Sequence, residues 1–318
     1  MEQLSLFEDK YVLLNMGAKA LVNLNLEEAK EAFQRYRDIY RDGNAVDGKL
    51  KLADFLIEGM EHAPSPGPDE PAYLYTLWMS FEKYAKSLED EAQRILPIIK
   101  DSFFRKLVEA IDRSGISDAP YLSDTVPLGY VYMQAGRFDR ALESLQASLL
   151  AVPDNAAVYG YLGDAYVCRG EMEVARRCYL EACLINPEDI DWRHLKDMEL
   201  TALKEHLMEV SGMDDASVIG WLPCHAYLRG IFKPKKIRLK EELKSFVDGY
   251  LNLRKEYAQD SAVDVTPKLF IRAIVLCDNE GFLKFIRGIN FIDIRRHMKE
   301  LNPALFARYL KFKQDNKQ

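Results

Sequence analysis

The sequence predicts an all-α fold, with antiparallel helical hairpins stacked as a solenoid and a helical C-terminal region after them. Three observations lead to this prediction. A 34-residue repeat becomes visible when the chain is aligned on Pro153 and Pro187. Apolar residues recur with the helical period in most other segments. The two-residue alternation of strands is almost absent, and at most 231–239 would hold a short extended piece.

The repeat has two clear copies, residues 122–155 and 156–189. Leu and Tyr four residues apart form the apolar stripe of a first helix, and the Gly beside that Leu lets a second helix approach closely. Gly136 and Gly170 are expected in the turn inside each hairpin. The shared positions are Leu128-Gly129, Tyr132, Ala141, Leu145 and Pro153, then Leu162-Gly163, Tyr166, Ala175, Tyr179 and Pro187.

This spacing resembles the tetratricopeptide repeat (TPR), W-x2-L-G-x2-Y…A-x3-F…P. The resemblance implies stacked helical hairpins with a concave groove that binds protein segments. Two copies bury too little surface alone, so further hairpins are expected on both flanks.

The N-terminal region, residues 1–118, is expected to contain a degenerate copy of the hairpin. With Ala29 in phase, Leu13, Met16-Gly17 and Phe33 fit the pattern, whereas Ala20 replaces the Tyr and Arg41 replaces the Pro. Residues 63–71 are rich in proline and are predicted to be a linker.

The repeat region, residues 119–212, is expected to end with a capping helix, because Lys196-Asp197 stands where a third copy needs Leu-Gly. That helix should end at Ser211-Gly212. The C-terminal region, 213–318, is predicted to be helical throughout, near 215–229, 239–257, 267–278, 280–288, 291–301 and 303–313.

Charge separates the chain into two parts. Residues 1–200 hold 22 Lys and Arg against 35 Asp and Glu, whereas residues 201–318 hold 21 against 15. No apolar run is long enough to span a membrane, and the N-terminus lacks the pattern of a leader peptide. We therefore expect a cytoplasmic protein without a membrane partner.

Catalytic, metal and cofactor sites are not predicted. The five cysteines form no CxxC pair, and the five histidines form no metal-ligand spacing. Phosphate-binding and nucleophile motifs are also absent from the sequence. An enzyme whose site has no linear signature is the least favoured hypothesis.

The TPR resemblance assigns groove positions to the first helix of each repeat. In repeat one they are Ser123, Val126, Tyr130, Met133 and Gln134; in repeat two they are Ala157, Gly160, Asp164, Val167 and Cys168. The set is mostly small or apolar and lacks the Lys/Asn clamp of chaperone-binding members, which favours an apolar segment or a helix as partner. Alternatively, the chain's own terminal helices cover some of these positions.

The N-terminus carries a second motif, Gln3-Leu4-Ser5-Leu6-Phe7. It resembles the pentapeptide by which bacterial replication and repair proteins dock on the DNA sliding clamp. The resemblance implies that Gln3 forms hydrogen bonds at a small pocket and that Leu6 and Phe7 fill an apolar one. Alternatively, these residues precede the first hairpin and pack on it.

The third feature is a basic segment, residues 229–244. Its candidate patch comprises Arg229, Lys233, Lys235, Lys236, Arg238 and Lys240. Such density supplies phosphate affinity, so nucleic acid is one candidate partner. A solvated charged surface and docking on the acidic repeats of the same chain are the alternatives. The aromatic residues interleaved with the basic residues of 229–318 have core spacing: Phe232, Tyr250, Phe285, Phe291 and Tyr309.

The sequence therefore favours a non-enzymatic protein-interaction module or scaffold. The alternative is a DNA replication or repair accessory protein that docks on the sliding clamp through Gln3–Phe7, with its basic region near nucleic acid.

Overall fold

The protein is described by a computed structural model that covers residues 2–88, 90–123, 125–259, 265–286 and 288–316, with the backbone alone for 2–9 and 90–92. The all-α prediction is confirmed, and the described strands are confined to one short pair. The described helices are α1 (Glu2–Val22), α2 (Leu26–Tyr40), α3 (Asp47–Glu61), α4 (Asp69–Lys86), α5 (Asp90–Ser114), α6 (Leu128–Gln134), α7 (Phe138–Ala151), α8 (Ala156–Cys168), α9 (Met172–Ile185), α10 (Met198–Ser211), α11 (Asp215–Leu228), α12 (Lys240–Gln259), α13 (Thr266–Asp278), α14 (Glu280–Leu283), α15 (Phe291–Leu301) and α16 (Pro303–Asp315).

The chain forms two compact units, Met1–Ser148 and Leu149–Gln318. In the first unit, Trp78 of α4 lies in an aromatic core, with ring centroids 5.2 Å from Phe103 and 5.6 Å from Phe104 of α5. In the second unit, one core joins α8 and α9 to the helices from α10 to α16. The second repeat thus shares its core with the C-terminal helices, and the regions 1–118, 119–212 and 213–318 stay predictions.

The predicted linker at 63–71 is a turn between two packed helices. The α4 helix begins at Asp69, and Pro71 lies in its buried first turn, where its missing N–H leaves no helical bond unmade. The Tyr73 hydroxyl donates to the carbonyl of Gly59 in α3 at 2.7 Å, which joins the helices on either side.

The first helix of repeat one is shorter than predicted. Residues Tyr121–Ser123 (β1) and Val126–Pro127 (β2) form an antiparallel pair, and α6 begins only at Leu128. Pro127 has no N–H, and its ring favours extended backbone at the preceding residue. Ser123 and Val126 therefore lie on strands rather than on the predicted helix.

The C-terminal helices lie close to their predicted positions, with two differences. The α14 helix ends at Leu283, well short of 288. Residues 231–239 contain no strand; they form an irregular segment that joins α11 to α12.

Candidate functional site

A glycine contact recurs in three hairpins. A Cβ placed on Gly163 would lie 2.5 Å from the ring of Tyr179, sixteen residues later. The matching distances are 2.5 Å for Gly129 to Leu145 and 2.6 Å for Gly17 to Phe33. Each glycine therefore lets the second helix approach at a distance that any side chain would prevent. The α1–α2 hairpin shares the packing of the two clear repeats.

The turns of these hairpins also match. Gly136 and Gly170 have φ of +70° and +79°, as expected for glycine at the end of a helix. Leu24 has the equivalent position after α1 and a φ of +61°. A leucine is held in the left-handed region here, so the turn geometry is kept although the glycine is not.

The groove positions of repeat one differ in exposure. Tyr130 and Gln134 lie one turn apart on α6 and are both half-buried, whereas Met133 is buried. The Tyr130 ring meets Tyr75 of α4 edge-on, with centroids 6.5 Å apart. Val126 is half-buried on β2. The accessible part of this surface is thus the exposed Ser123 together with the half-buried Val126, Tyr130 and Gln134.

Two of the five groove positions of repeat two are covered by the chain itself. Gly160 lies under Ile190, with 3.4 Å between the Cβ position and Ile190 Cγ2. Asp164 is buried and accepts hydrogen bonds from the Tyr179 hydroxyl at 2.6 Å and the Lys196 backbone N–H at 2.8 Å. Burial raises the pKa of Asp164 to about 6. The groove is therefore closed at Gly160 and Asp164, while Ala157 and Val167 are half-buried and Cys168 is exposed.

The segment that covers Gly160 and Asp164 lies where a third repeat would begin. After α9, a short 3₁₀ turn (Pro187–Asp189) leads the chain back over α8. The Trp192 indole donates to the Pro187 carbonyl at 2.7 Å, and Trp192 is buried. Asp197 then caps α10, accepting from the N–H groups of Glu199 and Leu200.

The basic segment is partly used within the chain. Lys233 pairs with Glu173 of α9, and Lys235 pairs with Glu181 of the same helix. The Lys236 ammonium donates to the Asp278 carbonyl at 3.3 Å. These contacts agree with docking on the chain's own acidic repeat, one of the alternatives that the sequence left open. Arg229, Arg238 and Lys240 are exposed, and nucleic-acid binding stays a prediction.

The clamp motif cannot be evaluated at the level of side chains. The backbone of Gln3, Leu4, Ser5, Leu6 and Phe7 is helical and forms the start of α1. Their side chains lie outside the described part of the chain, so sliding-clamp docking stays a prediction.

Within the described ranges, no group of three or more His, Cys, Asp and Glu side chains is placed to hold a metal ion. No described helix is long and apolar enough to cross a membrane. Sequence reasoning also missed exposed apolar residues in the second unit: Phe285, assigned to the core by its spacing, is 63% exposed.

Comparison with known proteins supports the repeats. Residues 126–190 match the tetratricopeptide repeat family. Human Superkiller complex protein 3 is 37% identical over 62 residues, which are 20% of this chain and 4% of that protein. No solved structure matches the chain. The chain thus spans a very small part of this relative's length. It carries tetratricopeptide repeats over residues 126–190.

Proposed function

We propose that this protein is a non-enzymatic interaction module or scaffold that binds a protein segment at its repeats. The observation that carries the proposal is the tetratricopeptide repeat at 126–190, a motif whose stacked hairpins present a binding surface. The glycine contacts at Gly129 and Gly163 support it, because they give both hairpins the tight packing that such a surface requires.

The binding surface of repeat one is assigned to Tyr130 and Gln134. They lie four residues apart on α6, so their side chains share one face of the helix. Both are half-buried, which leaves part of each side chain to contact a partner. A tyrosine ring beside an amide suits a partner segment that offers an apolar side chain and a backbone hydrogen-bonding group.

In repeat two, we assign the corresponding surface to Val167 and Cys168 at the end of α8, with the half-buried Ala157 at its start. Gly160 and Asp164 are excluded from it, since Ile190 and Lys196 already lie against them. The fold of the second repeat favours a partner that contacts the end of this helix rather than its length.

Site-specific crosslinking tests the proposal. A photoreactive benzoylphenylalanine would replace Gln134 in the full chain, expressed in the source cells, and the matched control would carry it at exposed Glu143 on α7. We expect a discrete protein adduct from position 134 that is absent from position 143. Tyr130→Ala in the same background should weaken that adduct. Equal adducts from both positions, or none from either, would contradict the proposal.

A further inference from the structure

The second unit contains an apolar pocket outside the repeats. Its volume is about 320 Å³, and we call it the Phe282 pocket. Its walls come from the end of the irregular segment, the start of α12, and α14 with the turn that follows. The lining residues are Ile237, Arg238, Leu239, Lys240, Leu243, Phe282, Phe285 and Ile286.

Three large apolar side chains at this pocket are open to solvent. Leu239 is 65% exposed, Phe282 52% and Phe285 63%. Beneath them, Ile237 and Leu243 are buried and form a floor. Soluble proteins seldom expose such side chains together, and when they do the patch is commonly a binding surface.

Hydrogen bonds hold the backbone of the pocket in place. The buried Asn279 side chain accepts from the Ile237 N–H at 2.9 Å and donates to the Lys235 carbonyl at 2.8 Å. It also donates to the Val275 carbonyl of α13 at 2.8 Å. One side chain therefore joins the irregular segment to α13, so the floor is formed before any partner binds.

The rim is positively charged. Arg238 and Lys240 line the pocket, and none of its described lining residues is acidic. Lys284 lies over the Phe285 ring, 5.1 Å from the centroid. The nearby carboxylates are Glu241 and Glu242 on α12 and Glu280 on α14; none of them lines the pocket, and Glu242 pairs with Lys235 at 3.6 Å. A negatively charged partner would meet complementary charge around an apolar centre.

We propose that the Phe282 pocket binds an acidic segment of a partner protein that inserts a bulky apolar side chain. The concave shape favours a side chain over a lipid surface, because membrane-bound proteins insert protruding residues rather than enclose the lipid. The pocket size fits one or two large side chains. This inference lies outside the repeats and does not depend on the function proposed for them.

The test is mRNA display of random twelve-residue peptides on the immobilised full chain, followed by fluorescence polarisation of the enriched peptides. We expect enriched sequences in which Asp and Glu flank Phe, Leu or Trp. Phe282→Ser/Phe285→Ser should weaken their binding at least tenfold, and Arg238→Glu/Lys240→Glu should do the same. These residues are exposed, so circular dichroism should show the variants folded.

Matched controls are Met198→Ser, an apolar residue 83% exposed on α10, and Lys299→Glu on α15, which is also exposed. Both should bind the enriched peptides like the parent chain. Enrichment of peptides without acidic residues, equal binding by the pocket variants, or no enrichment would overturn the proposal. It would also be overturned if the pocket variants abolished binding to phosphatidylserine vesicles, or self-association in sedimentation, instead of peptide binding.

Discussion

Gly163→Ala should loosen the second repeat by overpacking the space between its two helices. The new Cβ would lie 2.5 Å from Tyr179, so the ring must move by about 1 Å to restore ordinary contact. That ring is fully buried, and its hydroxyl is held by Asp164 at 2.6 Å. Overpacking costs about 1–3 kcal/mol, and the better helix propensity of alanine returns up to about 1 kcal/mol. Because the ring is buried and hydrogen-bonded, we take the upper part of that cost, about 2–3 kcal/mol, which leaves a net loss of about 1–2 kcal/mol.

Hydrogen exchange with mass spectrometry measures this loss in one hairpin at a time. We expect the slow amides of α8 and α9 to exchange about 5- to 30-fold faster in Gly163→Ala, while those of α1 and α2 keep their rates. Gly17→Ala should give the reverse pattern, because its Cβ would lie 2.6 Å from the Phe33 ring.

The control is Gly281→Ala, since no atom lies within 4 Å of the Cβ position and φ is not positive. It should leave exchange in both hairpins unchanged. The reasoning would be refuted if Gly163→Ala left α8 and α9 as protected as in the parent chain, since the glycine contact would then not limit the approach of the helices.

Three further predictions concern buried polar groups, and urea denaturation checks each of them. Asp197→Ala removes the cap of α10 and the carboxylate that lies 2.8 Å from Arg176, so the free energy of unfolding should fall by about 3 kcal/mol. Glu199→Ala removes an exposed partner of the same arginine and should lower it by less than ~1 kcal/mol. Equal losses in the two variants would contradict this reasoning. Because burial raises the pKa of Asp164 to about 6, the folded state binds the proton more tightly than the unfolded state, and this residue's contribution to stability falls as pH rises from 4 to 7. The free energy of unfolding of Asp164→Asn should therefore rise by about 2–3 kcal/mol relative to that of the parent chain between pH 4 and pH 7.5. A difference that stays constant over this range would be inconsistent with a raised pKa of Asp164. Asn279→Ala leaves the Ile237 N–H unsatisfied and should cost about 2–4 kcal/mol and speed exchange in 231–239, whereas the exposed Lys233→Ala should change stability by less than ~0.5 kcal/mol. If Lys233→Ala lowered the free energy of unfolding more than Asn279→Ala does, the ion pairs rather than Asn279 would hold segment 231–239 in place.

The hairpins could be predicted from the sequence because their packing depends on residue size at a fixed spacing. Gly163 and Tyr179 are sixteen residues apart, and so are Gly17 and Phe33. The close approach of the two helices in each hairpin can therefore be predicted from residues that are near each other in the sequence. The same pattern revealed the degenerate hairpin even though Leu24 replaces the turn glycine.

Proline positions were harder to interpret. Pro127 favours an extended chain before it, so α6 begins only at Leu128. The pairing of the two strands then satisfies some of the backbone hydrogen-bonding groups before the helix. Pro71 has the opposite effect, because in the first turn of α4 a proline is compatible with the helix. The outcome depends on whether the preceding residues pair with another segment, and local sequence does not specify that.

Two residues have an exposure opposite to the one that their sequence positions predict. Asp164 occupies a groove position but is buried, because Lys196, thirty-two residues later, returns to bond it. Phe285 has core spacing but is exposed at the Phe282 pocket, next to the irregular segment that Asn279 holds in place. Periodicity identifies the face of a helix, whereas long-range contacts decide whether that face is covered. The charge split has the same origin in part, because Lys233 and Lys235 pair with glutamates of the second repeat, whereas Arg238 and Lys240 are exposed at the Phe282 pocket, where we propose that a partner binds.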